Sequence, residues 1–111
     1  MIRSPEIDRE ILMLGHLPEM IRIIHSCFIG TNIKSLSYSQ LIQKIVDSYH
    51  CAISSNQAQK HIDYLLSLEL AKKWIEVISV QNDRFIKINK EYSLHDLFRS
   101  IRNKISLLQT S

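Results

Sequence analysis

The stretch SSNQAQKHIDYLLSLELAKKWIEVISVQNDRFIKIN (Ser54–Asn89) decides the fold. Ser54 followed three residues later by Gln57 is a capping box, and Ile53 and Ala58 stand where a hydrophobic staple would close it. Ala58, Ile62, Leu65 and Leu66 then recur at helical spacing. Asn56, Gln59, Lys60, Asp63 and Tyr64 are left on the outward face. After a short basic turn, Trp74–Val80 and Arg84–Ile88 are rich in β-branched and aromatic residues, which predicts a hairpin. The turn is Gln81-Asn82-Asp83, where Asn and Asp tolerate left-handed backbone.

Working outward, Ser37 and Gln40 repeat the capping box, with Leu36 and Leu41 as the staple. Leu41, Ile42, Ile45, Val46 and Tyr49 form the apolar face of that helix. Upstream, Ser4-Pro5-Glu6 reads as a helix start. Ile7, Ile11 and Leu14 follow, and Gly15 reads as a stop. Pro18 then opens a second helix carrying Leu17, Met20, Ile21, Ile24 and Phe28, ended by Gly30. Downstream, Ser93 caps a last helix, with Asp96 three residues on. Its apolar stripe is Leu94, Leu97, Phe98, Ile101, Ile105 and Leu108. The expected order is therefore α-α-α-α-β-β-α. A short strand near Lys34–Leu36 is expected to join the hairpin. The fold class is mostly α with a small β hairpin: a winged helix, a helix-turn-helix plus a wing, with flanking terminal helices. Residues 1–111 are expected to form one domain.

Composition narrows the function. The 111 residues are 45% hydrophobic and 23% charged, with two Gly and two Pro, as in an ordinary globular domain. No apolar run reaches the length of a membrane span, so no membrane partner is expected. The start, MIRSPEIDRE, is too polar for a secretory signal. Cys27 and Cys51 make no spaced framework and read as reduced thiols. The net charge is +3. Residues 1–70 hold 6 Lys/Arg against 7 Asp/Glu, whereas residues 71–111 hold 8 against 4. The basic excess lies in the hairpin and last helix, facing phosphate or an acidic protein patch.

Chemistry-bearing patterns are weak. His25, Cys27, His50 and Cys51 are metal-ligand types without paired spacing, and read as buried small thiols and satisfied histidines; no metal or cofactor is expected. Gly15 and Gly30 stand alone, so no phosphate loop is spelled out, and no nucleophile elbow occurs. The chain reads as a non-enzyme. A DNA-reading helix uses Arg, Lys, Asn or Gln on base edges. Asn56, Gln59 and Lys60 would serve, but Asp63 lies one turn along from Lys60 and no Arg occurs in that helix. At the wing, Arg84 is offset by Asp83. Weak non-specific phosphate contact by Lys87, Lys90, Arg99 and Arg102 is the remaining nucleic-acid reading. Tyr64 beside Lys60 suits a protein interface, and Glu19 with Arg22 forms a second polar patch.

LPEMIRIIHSCF (Leu17–Phe28), SSNQAQKHIDYLL (Ser54–Leu66), the Trp74 junction and DRFIKINK (Asp83–Lys90) together resemble the C-terminal winged-helix domain of the eukaryotic DNA replication licensing factor. That family loads the minichromosome-maintenance helicase and is held in check by geminin. The resemblance is co-linear from about Pro5 to Ile105. It implies the C-terminal module of a longer protein, nuclear and protein-binding, that contacts helicase subunits, with geminin bound only through regions outside this chain. A monomer in isolation is expected. The expected partner-binding residues, chosen on physical grounds, are Glu19, Arg22, Lys60, Tyr64, Lys87, Arg99 and Arg102. Leu17, Ile24, Phe28, Ile62, Leu65, Trp74, Phe85 and Phe98 are assigned to packing. The rival readings are a DNA-binding winged-helix transcription factor and a winged helix that serves as a packing module in a vesicle-sorting or proteasome-lid type complex.

Overall fold

The computed structural model describes residues 4–110. Helix α1 (Pro5–Phe28) is followed by β1 (Leu36–Ser37), α2 (Tyr38–Ser48), α3 (Ser55–Ser67) and a 3-10 turn (Glu69–Ala71). Strands β2 (Ile75–Val80) and β3 (Asp83–Ile88) and helix α4 (Leu94–Gln109) complete the chain.

The predicted caps form. The Gln40 amide donates to Ser37 Oγ at 3.2 Å, and the Ser37 amide to Gln40 Oε1 at 3.3 Å. The Ser54–Gln57 box closes at 3.1 and 3.0 Å. Ser93 accepts the Asp96 amide at 3.3 Å and Ser4 the Ile7 amide at 3.3 Å. Each box satisfies two amides that the first helical turn leaves without partners.

The division of the N-terminal region into two helices is corrected. Gly15 does not stop the first helix, and Pro18 lies inside a single 24-residue α1. A proline there removes one amide donor and crowds the carbonyl of Leu14, which locally favours a break. Burial overrides it. Leu14, Leu17, Met20, Ile21 and Ile24 are all fully buried and Phe28 nearly so, a stripe that stays continuous only if the helix does. Gly30, at φ 75°, follows the helix end in the left-handed conformation that glycine adopts freely.

The expected third strand exists as β1, at Leu36–Ser37 rather than Lys34–Leu36. The sheet order is β1-β3-β2, antiparallel throughout. Leu36 lies opposite Ile86, and Val80 opposite Asp83 across a two-residue turn. The left-handed residue of that turn is Gln81, at φ 55°, not the Asn or Asp expected to take it. The packing assignments hold except at Phe85 and Phe98, of which Phe98 is half-buried, packing on the core with one side only. Alternation along β3 sends Ile86 fully into the core and leaves Phe85 half-buried opposite Ile78 on the other face. Trp74 fills the junction of helix and hairpin, at 1% exposure. Cys27 is half-buried, where burial raises its thiol pKa, and Cys51 is exposed rather than buried as expected.

Candidate protein-binding surface

The residues singled out for partner contact divide into three groups. The first is drawn inward. Tyr64 was expected outward, but α1 lies alongside α3 and half-covers the ring. Its hydroxyl donates to Glu10 Oε2 at 2.9 Å. Burial, and then the Glu10 carboxylate, hold that phenol well above its ordinary pKa. Lys104 Nζ of α4 approaches the same Glu10 oxygen at 3.8 Å. One carboxylate thus joins α1, α3 and α4. Glu19 is likewise engaged. Its Oε2 accepts the His50 amide at 2.6 Å, and its Oε1 pairs with His50 Nδ1. That amide follows the C-terminus of α2, so Glu19 fixes how the chain leaves that helix.

The second group lies on the helix-turn-helix and wing. Lys60 is exposed on α3. Lys87 is half-buried on β3 opposite Glu76 of β2, an opposite-charge pair across the strands. Two contacts that were not foreseen tie this region together. Tyr38 OH of α2 donates to Asp63 Oδ1 of α3 at 2.5 Å. The Arg84 guanidinium of the wing lies 3.8 Å from the centroid of the Tyr38 ring. Burial, then the hydrogen bond and charge of Asp63, push the Tyr38 phenol up to about 12 against the opposing charge of Arg84.

The third group is the one the fold brings together. Arg22 of α1 and Arg102 of α4 flank an open groove of about 290 Å³ between the two helices, with Pro18, Phe98, Ile101 and Ile105 as its floor. Arg22 stands 5.1 Å from the centre of the Phe98 ring. Arg99 is exposed one turn before Arg102, and its Nη2 donates to His95 Nε2 at 2.9 Å. Among the described residues, no acidic side chain lines this groove. Pro18 and Phe98 are functional candidates that sequence reading passed over, because one looked like a helix start and the other like core. Their pairing needs α1 and α4 to be antiparallel neighbours, which no local pattern encodes. The arrangement offers cations above an apolar floor, suited to binding rather than to covalent chemistry.

Known proteins with related sequences place the chain. The model of the DNA replication factor Cdt1 C-terminal domain matches residues 1–81, from α1 through β2. DNA replication factor Cdt1 of Xenopus laevis is 26% identical over 104 residues, covering 94% of this chain and 16% of the frog protein. DNA replication factor Cdt1 of Mus musculus is 28% identical over 97 residues, covering 87% of this chain and 17% of the mouse protein. The chain therefore spans about one sixth of the length of these relatives. With a mostly helical fold, a small three-stranded antiparallel sheet and a family match over more than half its length, the chain belongs to the DNA replication factor Cdt1 C-terminal domain family.

Proposed function

We propose that this chain is the protein-binding module of a nuclear replication licensing factor, which docks on subunits of the minichromosome-maintenance helicase and promotes its loading at origins. The observation that carries the reading is the distribution of cations. The exposed arginines Arg22, Arg99 and Arg102 gather on the α1/α4 face. On the helix-turn-helix side, Lys60 is accompanied by Asp63, and the wing's Arg84 is turned onto Tyr38. A DNA-reading winged helix needs the opposite arrangement, with cations on the recognition helix and wing.

Arg22, Arg99 and Arg102 form the principal contact, with Lys87 and Lys60 as outlying charges. Glu19 and Tyr64 act by positioning: they hold α2 and α3 against α1. Catalysis and cofactors have no part in the mechanism, which is the docking of a preformed surface by a monomer. Geminin contacts other parts of the full protein. Truncating a central anchor such as Phe98 would cost about 2 kcal/mol of binding.

A pull-down of the purified chain against the assembled helicase ring, its separate subunits and random duplex DNA tests the reading. Retention by one or two subunits at moderate salt is the expected result. Retention by DNA alone, with a steep salt slope, would favour the transcription-factor alternative. Unchanged helicase binding after reversing Lys60, Arg99 and Arg102 together would refute the surface.

A further inference from the structure

From the α1/α4 groove we infer the chemistry of its occupant: an amphipathic helix of a helicase subunit, with apolar anchors on one face and Asp or Glu on both flanks. The inference rests on the docking function proposed above and goes beyond it by naming what is recognised.

Two cations flank the groove on opposite helices, Arg22 on α1 and Arg102 on α4, and Arg99 extends the charge along α4. The four remaining lining residues, Pro18, Phe98, Ile101 and Ile105, are apolar. A nucleic-acid backbone would satisfy the arginines but leave this floor without a partner. A second copy of the chain would bring like charges together, because a two-fold interface sets the same patch against itself. A helix laid between α1 and α4 meets both demands. Residues at i, i+3 or i+4, and i+7 reach the floor, and acids on either side of that stripe reach the two arginines. Arg22 over Phe98 would then be shared between the ring and an incoming carboxylate, which closes the groove edge against water.

The test uses the chain with each purified helicase subunit. Hydrogen exchange on the bound subunit should show protection over one segment with this pattern of anchors and acids. The double variant R22E/R102E should weaken binding about tenfold or more, and R22Q/R102Q by less, both with unchanged melting temperature. Replacing the acids of the protected segment by Lys should restore binding to R22E/R102E. A wild-type chain that binds, with R22E/R102E and R22Q/R102Q binding equally well, would overturn the groove assignment and leave the docking function standing. Protection confined to a segment without acids would overturn it too. A wild-type chain that binds no subunit would overturn the docking function itself.

Discussion

Replacing Pro18 by Ala tests the most consequential difference between local sequence rules and the fold. If α1 is one helix, Pro18 occupies an interior position, where proline is about 3 kcal/mol less favourable than alanine. Two terms oppose the gain. Proline stiffens the unfolded chain, and removing it costs about 0.4–1 kcal/mol. The half-buried ring also forms part of the groove floor, and losing its contacts costs on the order of 0.5–1 kcal/mol. The net expectation is a stabilisation of about 1.5 kcal/mol, or roughly 6 °C in melting temperature for a domain of this size. Had Pro18 instead been the first residue of a second helix, its missing amide would have cost nothing there, and alanine would be neutral or destabilising. The two cases differ in sign.

Urea unfolding followed by far-ultraviolet circular dichroism reads the free energy. Amide exchange reads the cause. In P18A the new amide can donate to the carbonyl of the fully buried Leu14, so its exchange should be as slow as that of neighbouring interior amides. A lower urea midpoint, or rapid exchange at residue 18, would refute the single-helix account and the burial argument behind it.

Tyr64→Phe should cost about 1–2 kcal/mol in stability by removing the hydrogen bond to Glu10, which urea melts would check; an unchanged urea midpoint would remove the contact as a tie between α1 and α3. His61 should make the fold sensitive to mild acid. Burial first, then the charge of His16, lowers its folded-state pKa below 6.5, so the unfolded chain binds the proton more tightly. Stability should therefore fall as pH drops below about 6.5, and the decline should be shallower in His61→Gln; equal slopes in the two proteins would remove His61 as the cause. Spectrophotometric titration should find the Tyr38 phenol ionising near pH 12, and Asp63→Asn should bring it down while leaving it above 10, because burial is the larger cause. Since its folded pKa is raised, this group's contribution is present below pH 10 and lost as pH rises through about 12.

What was legible in the sequence is what short-range chemistry decides. Ser37–Gln40 and Ser54–Gln57 are separated by three residues, so their geometry follows once a helix begins, and both boxes form. The hairpin was legible from its β-branched runs, and the winged-helix order from the succession of elements. Where a tertiary neighbour intervenes, local reading fails. Tyr64 lies at an outward position of α3 taken alone, but its partner Glu10 is 54 residues away. Glu19 reads as a surface acid until the end of α2, 31 residues on, arrives beside it. Phe85 and Ile86 are adjacent and both apolar, so only the pairing of β3 with β1 and β2 decides which faces the core. Of the candidate site, the arginines of α4 were legible as a charge excess. The groove was not, since Pro18 and Arg22 meet Phe98 and Ile101 only through helix packing.

The same packing leaves a winged helix free to vary its surface charge without losing its fold. The core asks only for the apolar stripes of α1, α2, α3 and α4 and for Trp74, Ile75 and Ile86 beneath the sheet. It leaves the charge on each outer face free to vary. On α3, Lys60 and Asp63 cancel. In the hairpin, Arg84 and Lys87 are balanced by Glu76 and Asp83. On α4, Arg99, Arg102 and Lys104 outweigh the single Asp96, whereas α1 carries Glu6, Asp8, Glu10 and Glu19 against Arg9 and Arg22, so the excess is local to the groove edge where Arg22 meets α4. The cations that flank the groove therefore act locally, away from the recognition helix. An acidic segment would be drawn to Arg22, Arg99 and Arg102 at close range, an attraction that weakens as ionic strength rises. Reversing Arg99 and Arg102 should then slow association and flatten its salt dependence, whereas Lys60→Glu, on the neutral face, should change the association rate by less. An equal loss from both changes would place the approach on no particular face and would remove the electrostatic basis for the docking surface.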